Sequence, residues 1–450
     1  MLLTNYLDWV LAHRWLVLSL TLVMALTGMV SLLHLPFDAY PDTTPVMVQV
    51  NTSLPGYAAD DVESTVTAPI EWELGGLAGL TEMRSISKVG LSQITFVFED
   101  GTDIYLARQQ VGERIAQVEL PEGLGRPELA PISTGLGEIF HYIVIDTLQA
   151  MRPTFARETQ DWLIKPQLRS VPGVAEINSW GGHEKQYQVL IDPDRLLGLG
   201  LTISDVLTAI QSGSHNVGGG IINRAGERFV VQGVGVLTSI EEINNVVITS
   251  RNGTPILVKD IGEVALGHKI RMASTTYNGS SEVVLGLGFM LTGGNSHEVA
   301  RELAKQLEEV KKTLPQGVSA HVVYDRTDFV DQVLTTVREN LLFGAALVIT
   351  VLFVFLGNFG AAFIVALAIP LSMLFAFSMM LQLSIVGSLM SLGAIDFGLV
   401  VDNAVIQVEN VTRRLTGKLS KAERLIKLRN AIMEVRKPTL FGELIVMIVY

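Results

Sequence analysis

Residues 340–395 open as Asn340-Leu-Leu-Phe-Gly-Ala-Ala-Leu-Val-Ile-Thr350 and run through Pro370 and Met380 to Gly393-Ala-Ile395 without one Asp, Glu, Lys or Arg. These 56 residues far exceed the roughly 20 that cross a bilayer, so more than one membrane helix must fit. Breaks at Gly357-Asn358 and around Gln382 to Ser388 predict helices over about 340–357, 359–381 and 386–411. The third continues into Asp396-Phe-Gly-Leu-Val-Val-Asp402-Asn-Ala-Val-Ile-Gln-Val-Glu409-Asn410. Three carboxylates on one membrane helix are expensive, about 2.5–3.5 kcal/mol each on insertion scales, and residues of this kind mark ion or proton pathways. Helical geometry puts Asp402 and Glu409 about 20° apart on one face and Asp396 about 120° round from Asp402, the three spanning roughly 20 Å of depth. Carboxylates kept in low dielectric have raised pKa values and exchange protons near neutral pH. The ladder therefore reads as a proton path, with snorkelling of Glu409 beside Arg413 as the plainer alternative for that residue.

The composition agrees: 48% hydrophobic and 17% charged residues, with a mean hydropathy of +0.39, suit a chain partly in lipid rather than a soluble enzyme. Trp15 to Leu33 is a second uncharged apolar run, and its Leu33-His34-Leu35 end lacks a signal-peptide cleavage pattern, so it reads as a retained helix. Between Thr412 and Pro438 nine basic residues face two acidic ones, net +7, which assigns this loop to the cytoplasm. Ser420-Lys-Ala-Glu423 is a capping box, so the loop is expected to contain a surface helix. Residues 34–339 then lie on the far side, in a bacterium the periplasm, and carry net −15 of the chain's −12. Such acidity attracts cations or keeps a large domain soluble, and it speaks against nucleic acid. With no cysteine, Met, His and carboxylates remain as metal ligands. The run from Leu444 to Tyr450 reads as the start of a fifth membrane helix, which predicts an N-terminal part of something longer.

The block outside the membrane repeats a unit. Val46, Val48 and Val50 alternate as a strand, and Val62, Val66, Ile70 and Leu74 share a helical face. Ile94, Phe96 and Phe98 alternate again before a helix over 103–118. The pattern returns with strands near 140–145 and 174–179 around a helix over 155–171, then a strand at 283–290, a helix over 296–314 and a strand at 320–324. Both rounds suit a split βαβ sandwich of ferredoxin-like type. Residues 182–270 read as an insertion in the second round. Its glycine-rich Gly218, Gly219 and Gly220 lack the Lys-Ser or Lys-Thr ending of a phosphate loop and suit a hairpin or arm. The fold class is thus an α+β membrane protein, a transmembrane helix bundle with a large periplasmic region.

These residues in this order resemble the heavy-metal efflux branch of the resistance-nodulation-division (RND) superfamily along nearly the whole chain. The likeness rests on Phe37-Asp-Ala-Tyr-Pro-Asp-Thr-Thr-Pro-Val46, Pro69-Ile-Glu-Trp-Glu-Leu-Gly-Gly-Leu77, Phe98-Glu-Asp-Gly-Thr-Asp-Ile-Tyr-Leu-Ala-Arg108, Pro131-Ile-Ser-Thr-Gly-Leu-Gly-Glu138, Tyr324-Asp-Arg-Thr327 and, most specifically, Asp396-Phe-Gly with Val401-Asp402 and Glu409-Asn410. The resemblance implies that Asp402 is the central proton carrier, with Asp396 and Glu409 as further members. It implies a first helix within 1–33 and porter subdomains at 34–135 and at 136–181 with 271–330. It also implies a docking insertion at 182–270 whose arm, including Gly218, Gly219 and Gly220, reaches a neighbour in a homotrimer. Membrane helices two to four then occupy 331–411, a cytoplasmic basic loop 412–438 and the start of a fifth helix 439–450. The implied activity is that of an inner-membrane secondary transporter, a proton/cation antiporter and not an enzyme. It needs no cofactor, exports zinc, cobalt, cadmium or nickel, and works with a periplasmic adaptor protein and an outer-membrane channel.

One position departs from the pattern: Asn403 stands where the metal pumps usually have Gly and the multidrug branch a second Asp. A multidrug pump of the same superfamily is therefore an alternative, as is a copper or silver exporter using Met379, Met380 and Met390, and, from another class, a membrane-tethered periplasmic scaffold. The metal-binding residues themselves are not legible, since no two of the eight histidines stand at i, i+3 or i, i+4. The topology is testable by reporter fusions. Alkaline phosphatase is expected to be active after Gly101 and inactive after Lys418, and activity at Lys418 would reject the orientation.

Overall fold

The computed structural model describes residues 2–35, 37–38, 44–121, 124–147, 153–251, 253–271, 273–279, 281–356, 358–383, 385–388, 397–415 and 420–449. In the first unit strand Met47–Ser53 buries Val48, Val50 and Thr52 in alternation. A helical segment over 59–74 then lays Val62, Val66, Ile70 and Leu74 on the sheet, each fully buried. Strands Leu80–Lys88 and Leu91–Phe98 follow, then helix Ile104–Ile115, whose first turn is capped by the Asp103 carboxylate accepting from the Tyr105 and Leu106 amides. Short strand Glu128–Leu129 closes the unit. Numbered along the chain, the four strands lie in the order 2-3-1-4, all antiparallel.

The second unit repeats that order. Strand Glu138–Asp146 is followed by a helical segment over 153–169, strand Val174–Trp180, strand Ser281–Met290, helix Ser296–Lys311 and strand Val318–Asp325. The sheet runs Val174–Trp180, Ser281–Met290, Glu138–Asp146, Val318–Asp325, again 2-3-1-4, with Thr275–Tyr277 adding a short pairing to the second of these. The likeness extends to a local irregularity. Each unit's first helix contains a π-helical turn, Glu63–Thr67 or Gln160–Ile164, closely followed by a proline, Pro69 or Pro166. Proline has no N–H and its ring crowds the carbonyl four residues back, and a wider turn there relieves the clash. Gly79 and Gly173, both at positive φ, then turn each chain into its second strand.

The insertion leaves this sheet through antiparallel strands Lys185–Ile191 and Gly262–His268, paired over seven positions. Beyond them two small cores form, one around Leu196, Val206, Ile256 and Ile261, the other around Ile243, Val258 and Val264. From this base projects a hairpin, Val217–Arg224 and Glu227–Gly233, in which every residue is exposed. Its turn is Ala225-Gly226, both at positive φ, the backbone of a tight two-residue hairpin loop. Gly218, Gly219 and Gly220 lie in its first strand, where the register shifts between Gly218 and Gly220.

Below the two units lies a group of helices. Arg14–His34 and Phe359–Gln382 are long and apolar enough to cross a membrane. Their backbones pack so closely that a Cβ at Gly28 would come within 2.4 Å of the Leu374 carbonyl oxygen, the close approach that small residues allow between membrane helices. Three further helices, Arg326–Leu356, Phe397–Arg414 and Lys421–Val449, lie with them. The first starts well before the expected residue 340 and grows directly out of strand Val318–Asp325, because its early charges are compatible with helix and nothing breaks it before Gly357.

Two further boundaries differ from the sequence reading. Residues 385–388 do not begin a helix at 386. Gly387 instead pairs with Phe37 in a parallel bridge and its carbonyl accepts the Asp38 N–H at 3.2 Å, in a space where a Cβ would lie 2.7 Å from the Phe37 ring. The expected division at 438/439 is also absent, since Lys421–Val449 runs through Pro438. There the Thr439 hydroxyl donates to the Val435 carbonyl at 3.0 Å, a side-chain donor in the turn where proline has no N–H.

A buried ion pair joins the layers. Arg326, 6% exposed, donates through Nε and Nη2 to Asp38 Oδ1 at 3.1 and 2.9 Å and through Nη1 to the Leu136 carbonyl at 2.7 Å. In the second unit Gly286 is equally constrained, since a Cβ there would sit 2.2 Å from the Tyr142 ring. That ring is fully buried and its hydroxyl accepts from the Gln160 amide at 2.8 Å. Burial pushes the Tyr142 phenol well above the usual tyrosine range. Gly286→Ala is expected to cost about 1–3 kcal/mol by overpacking, measured by thermal unfolding, and Tyr142→Leu in the same chain should recover part of it. An unchanged melting temperature for Gly286→Ala alone would contradict this packing.

Candidate functional site

The carboxylate helix Phe397–Arg414 has one apolar face, on which Ala404, Val405 and Val408 pack against Val365, Ile369 and Met373 of Phe359–Gln382. A second face is polar and meets helix Lys421–Val449. The Asn410 amide, buried at 8% exposure, donates to the Ala431 carbonyl at 2.8 Å and to Glu434 Oε2 at 3.3 Å. Arg414 pairs with the same Glu434. Farther along, the Asn403 amide donates to Glu443 Oε1, which also accepts from Arg436 Nη1 at 3.0 Å. The third face, through Ile406 and Glu409, is exposed.

Asp402 lies on this helix seven residues before Glu409, as its spacing required; its side chain is outside the described residues, as is Asp396 altogether. Asn403 was the position at which the sequence departed from its pattern, and the structure gives it a carboxylate partner. Glu443 and Arg436 were missed by sequence reasoning. The available signal was a glutamate set in Phe441-Gly-Glu443-Leu-Ile-Val, an acidic residue inside an apolar run; Arg436 was assigned to the loop because Pro438 was taken as a boundary.

In the basic stretch before Pro438 the expected capping box forms: the Ser420 N–H and hydroxyl donate to Glu423 Oε2 at 3.0 and 2.8 Å, and the Glu423 N–H donates to the Ser420 hydroxyl at 3.3 Å. Its helix is tied to the N-terminal helix Leu2–Ala12, since Arg429 Nη2 donates to Asp8 Oδ2 at 2.8 Å. That guanidinium holds the Asp8 carboxyl below the usual carboxylate range.

Among the described residues no group of three or more His, Asp or Glu is arranged to hold a metal. Met380 packs beside Leu35 and Phe377 in an apolar cluster, and Met379 is part-exposed on the same helix; Met390 lies outside the described residues. Tertiary folding brings together His183 and His268, ring centroids 4.3 Å apart. The Arg271 guanidinium, held by Glu282 at 2.6 and 2.8 Å, lies 3.4 Å from His183 Nε2 and disfavours a second cation. On the second unit's sheet, His141 Nε2 lies 2.7 Å from Glu138 Oε1, an imidazole and a carboxylate of the kind that borderline divalent ions accept.

Two α/β units of identical strand order set beside apolar helices, one of which carries Asn403, Asn410 and carboxylates, are the architecture of a membrane protein of RND type. The chain belongs to the AcrB/AcrD/AcrF family, which matches residues 6–450. It is 47% identical to the cation efflux system protein CzcA of Alcaligenes sp. (strain CT14), over 97% of this chain and 42% of that protein. It is 39% identical to the nickel and cobalt resistance protein CnrA of Cupriavidus metallidurans, over 97% of this chain and 44% of that protein. The crystal structure of a heavy metal efflux pump superposes with a TM-score of 0.84 at 35% identity, covering 96% of this chain and 42% of that one. The chain thus spans less than half the length of the curated relatives it matches. The motif resemblance to the heavy-metal efflux branch holds.

Asn410→Ala is expected to remove the amide that bonds the Ala431 carbonyl and Glu434 across the interface, leaving Arg414 as the cross-helix partner of Glu434, and to lower stability by about 1–3 kcal/mol. Thermal unfolding in detergent measures it, and a neutral result would mean that this polar face does not hold the two helices together.

Proposed function

We propose that this chain contributes the proton-relay helix and two porter subdomains to an inner-membrane pump that exports divalent heavy-metal cations, of the zinc, cobalt, cadmium or nickel type, against an inward flow of protons. The observation that carries the reading is the helix bearing Asp402 and Glu409 within an apolar bundle, in a chain whose relatives are named for cation efflux and for nickel and cobalt resistance. Charge at membrane depth is retained where it moves ions. Asp402 takes up a proton from the outer side and releases it inward, with Asp396 and Glu409 as further stations.

In this reading residues 34–135 and 136–181 with 271–330 are the porter subdomains, and 182–270 is a docking subdomain. Its exposed hairpin, with Gly218, Gly219 and Gly220, reaches a neighbour in a homotrimer. Arg14–His34, Arg326–Leu356, Phe359–Gln382, Phe397–Arg414 and the later part of Lys421–Val449 cross the inner membrane, and the basic stretch before Pro438 faces the cytoplasm. A periplasmic adaptor and an outer-membrane channel complete the path. The acidic outer block, net −15 over residues 34–339, raises the local cation concentration. Glu138 and His141 supply oxygen and imidazole donors suited to divalent ions, whereas Met380 is engaged in apolar packing.

In the complete transporter Asp402→Asn keeps shape and hydrogen bonding while deleting the titrating proton. It is expected to abolish metal tolerance in cells lacking their own pump while trimer assembly survives. Glu409→Gln should do least and Asp396→Asn fall between. Tolerance is scored separately for zinc, cobalt, cadmium, nickel, copper and silver. Full tolerance with Asp402→Asn would remove it as proton carrier, and protection against copper or silver alone would overturn the divalent assignment.

A further inference from the structure

We propose that Glu443 is a further proton-carrying residue, a station on the neighbouring helix level with Asp402 that passes the proton on toward the cytoplasm, oriented by Asn403 and charge-balanced by Arg436. The proposal rests on the proton-driven reading above and extends it to a second helix.

The two helices run antiparallel, and their contacts fix relative depth. Asn410 meets Ala431 and Glu434, and Asn403 meets Glu443. At about 1.5 Å rise per residue, the Asn403–Glu443 contact lies roughly 10–14 Å deeper than the Asn410–Glu434 contact. Glu443 is thereby set on the facing helix at the level of the residue next to Asp402. An ionisable side chain at that depth is costly unless it is paired and hydrogen-bonded, and it is rarely retained without a role in ion movement.

Its surroundings fit transfer rather than anchoring. Glu443 and Arg436 remain part-exposed, at 29% and 31%, so the pair is not sealed inside the helix interface. Other contacts hold this helix in place: Glu434 is held by Arg414 and Asn410 of the facing helix, and Arg429 by Asp8 of the N-terminal helix. Glu409 of the facing helix lies on a different, exposed stripe. Among the described residues Arg436 is thus the cation that balances Glu443, and Asn403 the neutral donor that aims it. In the transfer step a proton arriving from the Asp402 side forms an O–H bond on the Glu443 carboxylate and cancels its charge. The ion pair with Arg436 is released, and the guanidinium on its long stem turns toward the cytoplasmic surface. Loss of that proton to cytoplasmic water breaks the same O–H bond and restores the pair. One proton enters and one leaves, and no oxidant or reductant is involved.

The test uses the complete transporter in proteoliposomes, with zinc as the driving ion and an internal pH-sensitive dye. Glu443→Gln keeps an oxygen for the Asn403 amide and removes the titrating group. It is expected to slow zinc-coupled proton flux about 100-fold, the scale of a positioned proton-transfer group, with zinc binding and trimer size unchanged. Glu443→Asp should retain part of the flux. The double variant Glu443→Gln with Arg436→Gln strands no cation and should remain slow; it carries the same readout if the single variant does not assemble. Wild-type flux in Glu443→Gln alongside a silent Asp402→Asn would overturn this station while leaving proton coupling intact. Recovery in the double variant would assign the defect to an unpaired guanidinium and equally overturn it. Wild-type flux in Asp402→Asn would instead bring down the proton-driven reading itself.

Discussion

The Asp38–Arg326 ion pair is the constraint on which the arrangement of layers depends. Burying a carboxylate and a guanidinium is costly, and the cost is offset where geometry and further hydrogen bonds are good. Here Nε and both terminal nitrogens of Arg326 are engaged, two with Asp38 and one with the Leu136 carbonyl. The three segments so joined are the exit of the first apolar helix, the entry to the second unit's sheet and the start of helix Arg326–Leu356. Because strand Val318–Asp325 passes directly into that helix, a movement of the sheet cannot leave the helix behind. The same junction includes the Phe37–Gly387 bridge, which draws the segment after Phe359–Gln382 to the same point.

Below that junction the helices use two kinds of surface. Arg14–His34 and Phe359–Gln382 meet through small residues, Gly28 above all, and through aliphatic packing around Leu35 and Phe377. Lipid competes well for apolar contacts, so closeness of backbones and van der Waals fit must hold such a pair. Phe397–Arg414 instead turns Asn403 and Asn410 to helix Lys421–Val449, where amides and carboxylates bond across the interface. The carboxylate helix therefore has an apolar neighbour on one side and a polar neighbour on the other.

The outer block is built twice from one plan, down to a π turn and a proline in each first helix. Repetition at that level points to a shared local need: the wider turn accommodates the proline while Val66 and Ile70 in one copy, and Ile164 and Leu168 in the other, stay buried. The second copy differs by the insertion, which leaves and re-enters through the paired strands Lys185–Ile191 and Gly262–His268. Its base has only small cores, and its hairpin none. A two-stranded ribbon of this kind is marginal alone, and it gains order from whatever it lies against.

Much of this was legible in the sequence because the information was local. Uncharged runs located the apolar helices, alternation and helical spacing located the strands and helices of both units, and Ser420 with Glu423 announced a helix start that the structure contains. The motif around Asp396, Asp402 and Glu409 carried the family. Boundaries at Gly387 and Pro438 were misread because a glycine beside an aromatic ring and a proline inside a helix have their meaning fixed by neighbours. In one case the neighbour is Phe37, three hundred and fifty residues away; in the other it is Thr439, whose hydroxyl bonds the Val435 carbonyl in the same turn. The partners of Asn403 and of Arg326 were invisible for the same reason. Periodicity and composition reveal which face an element buries, but pairing across 40 or 288 residues depends on how elements pack, and that was decided by the tertiary structure alone.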